Sequence, residues 1–406
     1  MTATLCEYKF RSGETCGEKC KEEVYGTSPY CILHIDFPDE TNSEFAKIKR
    51  DKDAKVQEKI DPKNPNKNFN FEGAKITSID LSRRKDVSTL SFVHATIKGD
   101  AWFNNATIKG DALFDNAVIE GDVEFISATI KGDALFDNAT IKRNARFYYA
   151  VIEGDVRFNS AIIELSAQFS SVMIKGKASF DNATIKGFAY FNGATIKRYA
   201  WFNNATIEGD ALFDNATIKG KASFDNATIK GYASFDNATL EGKLSGCYTA
   251  EITGELSFES IKFTSIKAQE DAYRKAKQVW EKLGNRTRAD DYFYREMVAK
   301  RKQKNQPIRS LELIVQYPLG YGVRPSWLAT TWILVAITVG AFLTGASGSI
   351  MNLPFGIAAT FVPGYGISSP NAPSGFISLC IICIATIFSA FFWAAFITVF
   401  SRKFMR

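Results

Sequence analysis

The sequence predicts a multidomain membrane protein: a quadrilateral β-solenoid, a helical hairpin, and two transmembrane helices joined by a re-entrant loop. Three observations predict it. Isoleucine and phenylalanine each recur every eleven residues through the middle of the chain. The stretch from Pro325 to Ser401 contains no Asp, Glu, Lys, Arg or His, although charged residues make up 23% of the 406. Within it two apolar runs, Trp327–Ala346 and Phe376–Phe400, are each long enough at ~1.5 Å per residue to cross a hydrocarbon core of ~30 Å.

Residues 1–38 hold four cysteines and a histidine with the spacing Cys6-x9-Cys16-x3-Cys20-x10-Cys31-x2-His34. Zinc takes four soft or borderline ligands in a tetrahedron, and a segment too short to build a core gains its stability from that bond. Cys6, Cys16, Cys31 and His34 form the expected set. Five ligands compete for four places, so Cys20 is the alternate for Cys16. Reduced cysteines or a disulfide pair are the other readings, the latter suited to an oxidising compartment. Residues 39–68 are dense in Lys, Asp, Glu and Asn, with Pro62 and Pro65, and read as a charged linker or frayed helix.

Residues 69–263 are the repeat. One series runs from Ile97 in steps of eleven to Ile229 and Leu240, and a second from Phe103 to Phe235. An eleven-residue period also suits a right-handed helical supercoil. Composition decides against it, because each unit combines Gly or another poor helix former with β-branched Thr and Ile and an Asp/Asn pair, which favour short strands and tight turns. In a β-solenoid, coils stack at ~4.8 Å and like residues form ladders. Two units per turn give four walls, with Ile and Phe inward and alanine where nothing larger packs. Seven "NAT" triplets, beginning at Asn105, Asn138, Asn182, Asn204, Asn215, Asn226 and Asn237, match the glycosylation sequon but are explained by a turn that wants Asn and a wall that wants Ala.

The consensus "ATIKGDALFDN" resembles the pentapeptide-repeat family, whose motif puts a small residue two before a central Leu or Phe; "ATIKG" and "ALFDN" match that frame. The resemblance implies a right-handed quadrilateral β-helix. This chain departs from the motif by a sixth residue per pair, the Asp of "GDA", and by Thr in the usual Asp/Asn place. A triangular, bactofilin-like solenoid is the alternative. Some pentapeptide proteins mimic DNA through an acidic surface; here Lys and Glu share one outward position and Asp another, so the face is mixed.

Residues 264–306 change to helical spacing, with Ala272, Ala276, Val279, Trp280 and Leu283 on one side and Gly284–Asn285 as a stop. "TRAD" at 287–290 reads as a capping box opening a second helix. The hairpin is expected to close the open end of the solenoid and to lead into "LELIVQYPLGYGV" at 311–323, an interfacial helix and turn. The membrane domain is expected over 307–406.

Between the two spans (327–346 and 376–400), residues 350–368 include an apolar stretch followed by "ATFVPGYG". Irregular backbone at membrane depth is tolerated only inside protein or along a water cavity. This plan resembles the two-transmembrane pore-loop channels and their filter "TxVGYG", and the final "WAAFITVFSRKFMR" resembles the inner-helix end of that family in prokaryotes. The resemblance implies a pore lined by Thr360, Val362, Pro363, Gly364, Tyr365 and Gly366, a permeant cation held by backbone carbonyls, and a tetramer of identical chains. Where the family has Thr and Val before GYG, this chain has Val362 and Pro363, which removes a hydroxyl ligand and fixes φ near about −65°. The plainer reading is a glycine-rich turn, as in "LGYG" at 319–322. A membrane-anchored scaffold without conduction is the alternative function.

No apolar segment near Met1 resembles a cleaved signal peptide. Lys300, Arg301, Lys302, Lys304, Arg309 and Arg324 precede the first span, and Arg402, Lys403 and Arg406 follow the second. The positive-inside rule therefore puts both termini in the cytoplasm of a multi-pass protein of the cell membrane. The net charge of +6 gathers beside the membrane and forms no nucleic-acid-binding stripe. With two histidines, and no carboxylate pair, nucleophile elbow or phosphate loop, no enzyme chemistry is expected.

Overall fold

A computed structural model of the chain describes residues 4–10, 12–16, 22–64, 68–347, 357–358, 360–361 and 376–404. The chain divides into two compact units, residues 1–284 and 285–406.

In the first unit, 34 two-residue strands between Lys75 and Phe263 form four parallel sheets of nine, eight, eight and nine strands, a β-solenoid of about nine turns. Thr129 pairs with Thr107 on one side and Val151 on the other, so two eleven-residue units make each turn. Four walls, not three, settle the cross-section.

The core follows from the two apolar series. Ile108, Ile119, Phe114 and Phe125 are wholly buried, as are Ala112 and Ala117 beside them. Phenylalanines a full turn apart stack face to face, as Phe136 and Phe158 do at 4.6 Å between centroids. Those half a turn apart meet edge to face, as Phe180 and Phe191 do at 5.5 Å and 89°. Two ring columns thus interlock along the axis in the arrangements that aromatic quadrupoles favour. They fill the interior closely, so the positions beside them take small side chains, mostly Ala and in places Val, as at Val123 and Val156.

Asparagine serves the turn. Asn105, Asn116, Asn138, Asn182 and Asn215 have φ between 58° and 59°, in the left-handed region that Asn tolerates better than most residues. The sixth residue of each pair also has a use. The Asp111 carboxylate accepts from the Asp133 N–H at 2.8 Å, and Asp133 accepts from Asp155 at 2.7 Å, so each carboxylate serves an amide 22 residues on. This polar ladder satisfies backbone donors where the corner interrupts the strands. The glycine before it lets the coils close up: a Cβ on Gly132 would run into Asp111 and the Gly110 backbone.

Both ends of the solenoid are covered. Residues 39–68, expected as a charged linker or frayed helix, contain helix α1, Phe45–Ile60, which buries Ile48, Lys52, Val56, Lys59 and Ile60. Its charge concealed that it is docked rather than frayed, because two of its inward residues are lysines. Lys52 Nζ donates to the carbonyls of Ile32, Ile35 and Lys75 at 2.7–2.8 Å. At the other end lies α2, Ile266–Lys282, capped by Ser265. Trp280 Nε1 donates to Leu256 O at 2.9 Å and Tyr273 meets Phe263 edge to face at 5.9 Å, so α2 covers the last coils as expected.

The second unit begins with α3, Arg286–Lys302. The boundary between units falls between the two helices expected as one hairpin. The cap is Asn285, whose side chain accepts from the Arg288 N–H, rather than Thr287 of "TRAD". Helix α4, Ile308–Leu319, and a 3-10 turn over Gly320–Gly322 lead to α5, Pro325–Ser347, and later α6, Phe376–Phe404. Arg324 sits 4.1 Å over the Tyr294 ring and 4.9 Å over Trp327, and donates to Asp291 at 3.2 Å. Among the described residues one helical stretch, Cys380–Ile397 of α6, is long and apolar enough to cross a membrane. The corresponding stretch of α5, Ser326–Phe342, is shorter.

Candidate metal centre and candidate pore segment

The N-terminal segment is held by antiparallel bridges between Leu5 and Glu23 and between Lys9 and Thr15. They bring Cys6 and Cys16 beside the turn that carries Cys31 and His34. One donor atom from each of these four buried residues lies within 4.8 Å of the others. Cys20, the alternate ligand, lies outside the described residues.

His34 Nε2 is 2.9 Å from the carbonyl oxygen of Glu72. A carbonyl can only accept, so Nε2 carries a proton, and Nδ1 is the ring nitrogen that faces the cysteines. Nδ1 faces Cys31 Sγ at 3.1 Å and Cys6 Sγ at 3.5 Å. Zinc bonds of ~2.3 Å to sulfur and ~2.0 Å to nitrogen put the two atoms roughly 3.5 Å apart at a tetrahedral angle, so the donors need little movement to take the ion. Tyr8 stacks on the imidazole at 4.0 Å and 6°. The Cys31 N–H donates to Cys6 Sγ at 3.1 Å, a bond that stabilises a thiolate. The Cys31 thiol is pushed down to about 3 by its hydrogen bond with Cys16 and, more weakly, by His34, against the opposing effect of burial. Burial pushes the Cys6 thiol up. Three sulfurs and an imidazole suit zinc and not the hard cations that need oxygen.

In the second unit Ile357, Ala358, Thr360 and Phe361 are helical, just before the glycine-rich segment. Thr360 is buried, and its Oγ1 donates to Ile357 O at 2.8 Å. Trp332 of α5 donates from Nε1 to Thr360 O at 2.8 Å, and Trp393 of α6 donates to Phe361 O at 2.6 Å. Trp332 stacks on Phe361 at 5.1 Å and on Phe392 at 5.8 Å, beside buried Leu328. Each long helix therefore holds this helical stretch by an indole. Val362, Pro363, Gly364, Tyr365 and Gly366 lie outside the described residues.

Neither tryptophan was singled out from the sequence. An indole N–H inside an uncharged apolar run needs an acceptor, and that signal was available in "TTWIL" and "FFWAA".

Residues 114–162, 169–217 and 208–245 match the family described as Pentapeptide repeats (9 copies), which supports the pentapeptide-repeat reading of the solenoid. No curated protein and no solved structure matches the chain.

Proposed function

We propose that this chain is an oligomeric cation channel of the cell membrane, in which α5 and α6 both span and the segment between them lines the pathway. The observation that carries the reading is the paired grip of Trp332 and Trp393 on the Thr360 and Phe361 carbonyls. A helical stretch fastened to both long helices and followed in sequence by "VPGYG" fits a loop that aims backbone carbonyls along a pathway. One chain with two spans cannot enclose a pore, so further copies are required; the resemblance to two-span channels makes the number four. The positive-inside rule places the solenoid in the cytoplasm.

The second reading is a membrane-anchored scaffold without conduction. It is favoured by the match to pentapeptide repeats, since a stacked solenoid offers a long side wall for partners and needs no pore.

Reconstitution into planar bilayers separates them. On the pore reading Gly364→Ala abolishes or alters cation conductance at unchanged oligomer size, because a Cβ penalises positive φ. Val362→Thr with Pro363→Val raises potassium over sodium permeability by restoring a hydroxyl ligand. A wild-type protein silent to every cation under voltage, tension and pH steps, with Gly364→Ala indistinguishable from it, leaves the scaffold.

A further inference from the structure

We propose that Cys6, Cys16, Cys31 and His34 bind one zinc ion, and that the ion locks a cap over the N-terminal end of the solenoid. This does not rest on the pore reading.

A stacked solenoid has an end to protect. The strand at Lys75–Ile76 is the outermost of its sheet and pairs inward with Thr96–Ile97, so no further strand of the sheet covers its other edge. Phe71 stacks on Phe92 at 5.0 Å and ends its ring column. Unpaired edges and a bare aromatic face invite another chain.

The cysteine module meets this end at several points. The Lys75 N–H donates to Leu33 O at 2.6 Å, covering part of that edge. Gly73, at φ 68°, leaves room for the Tyr8 ring, into which a Cβ would run; the same ring stacks on His34. His34 itself joins the two parts, with Nδ1 turned toward the three sulfurs and Nε2 bonded to Glu72 O, one residue past Phe71.

The module has polar ties to α1, such as those of Lys52 to the Ile32 and Ile35 carbonyls, but a small apolar core of its own. Among the described residues between 4 and 35, the buried apolar side chains apart from the cysteines are Phe10, Ile32 and Leu33. So small a core does not fix the loops that carry Cys6, Cys16 and Cys31, and a four-coordinate ion does. Cys6, Cys16 and Cys31 form no disulfide and so are available as ligands. Metal bound to Nδ1 makes the Nε2 proton a stronger donor to Glu72 O, so ligation and docking reinforce each other.

The test uses the full chain purified in detergent. Metal analysis is expected to give about one zinc per chain, and cobalt replacement the absorption of a tetrahedral thiolate site. Cys31→Ser is expected to lose the metal and Cys20→Ser to keep it. On chelation, amide hydrogen exchange over residues 69–97 is expected to rise about tenfold or more while residues 200–240 stay protected. His34→Cys separates the two halves of the proposal. It keeps four donors and the zinc but removes the Nε2–H bond, so exchange over 69–97 rises with metal still bound. Substoichiometric zinc together with no tetrahedral cobalt spectrum overturns the site. Stoichiometric zinc with first-coil exchange unchanged by chelation overturns the cap.

Discussion

Trp332 and Trp393, on different helices, donate their indole N–H groups to the carbonyls of consecutive residues, Thr360 and Phe361. Trp332→Phe keeps an aromatic ring against Phe361 and Phe392 but leaves the buried Thr360 carbonyl without that donor, at a cost of about 1–3 kcal/mol. The expected result in detergent is earlier thermal unfolding of the helical unit with the solenoid transition unmoved. An unchanged helical transition would show that the carbonyl is satisfied in another way.

Phe169 lies between Phe147 at 4.7 Å and Phe191 at 5.2 Å and is wholly buried. Phe169→Leu gives up ring stacking and is expected to cost about 1–3 kcal/mol. Phe169→Asp buries a carboxylate with apolar neighbours above and below and is expected to disrupt the central coils outright. Chemical denaturation monitored by circular dichroism distinguishes them, and equal midpoints for the two variants contradict the ladder.

Asn182 holds φ 59°, and the equivalent place eleven residues on is filled by Gly193 at φ 66°. Asn182→Gly is therefore expected to unfold at nearly the wild-type denaturant concentration. Asn182→Val, β-branched in the left-handed region, is expected to lose at least about 1–2 kcal/mol. The difference between the two midpoints measures the turn, since neither variant alters the interior.

Burial pushes the Cys247 thiol up to about 12. At pH 8 its thiolate fraction is then on the order of one in 10,000, and the thiolate is the reactive form. Iodoacetamide at pH 8 is expected to leave Cys247 unmodified in the folded protein and to label it after denaturation, as read by peptide mass spectrometry. Rapid labelling of the native chain would contradict its burial.

The solenoid was legible because the coils repeat one instruction: the Ile and Phe series give the period, and the Asn that recurs at the positive-φ place gives the turn. What the period could not give was the use of the Asp in "GDA", because its partner is an amide 22 residues away, beyond any local pattern. The docking of helix α1 was hidden for a different reason. Lys52 is buried only because three carbonyls, Ile32, Ile35 and Lys75, converge on its ammonium, and nothing in a window around Lys52 announces them. The four zinc-type ligands were chosen by spacing, and the structure brings all four together. The Glu72 carbonyl that accepts from His34 Nε2 is a backbone atom and leaves no mark in composition. At the start of α3, "TRAD" drew attention from Asn285, although the residue after a helix-ending glycine is itself a good cap.

The 22-residue turn makes this solenoid a ruler with two kinds of graduation. Removing 22 residues shortens it by one coil, about 4.8 Å, and returns α2 to the same wall. Removing eleven preserves the Ile and Phe spacing just as well, yet delivers the chain to the opposite wall. Sequence drift by whole coils can therefore tune reach without disturbing either cap, whereas drift by half coils turns the exit of the chain through half a revolution.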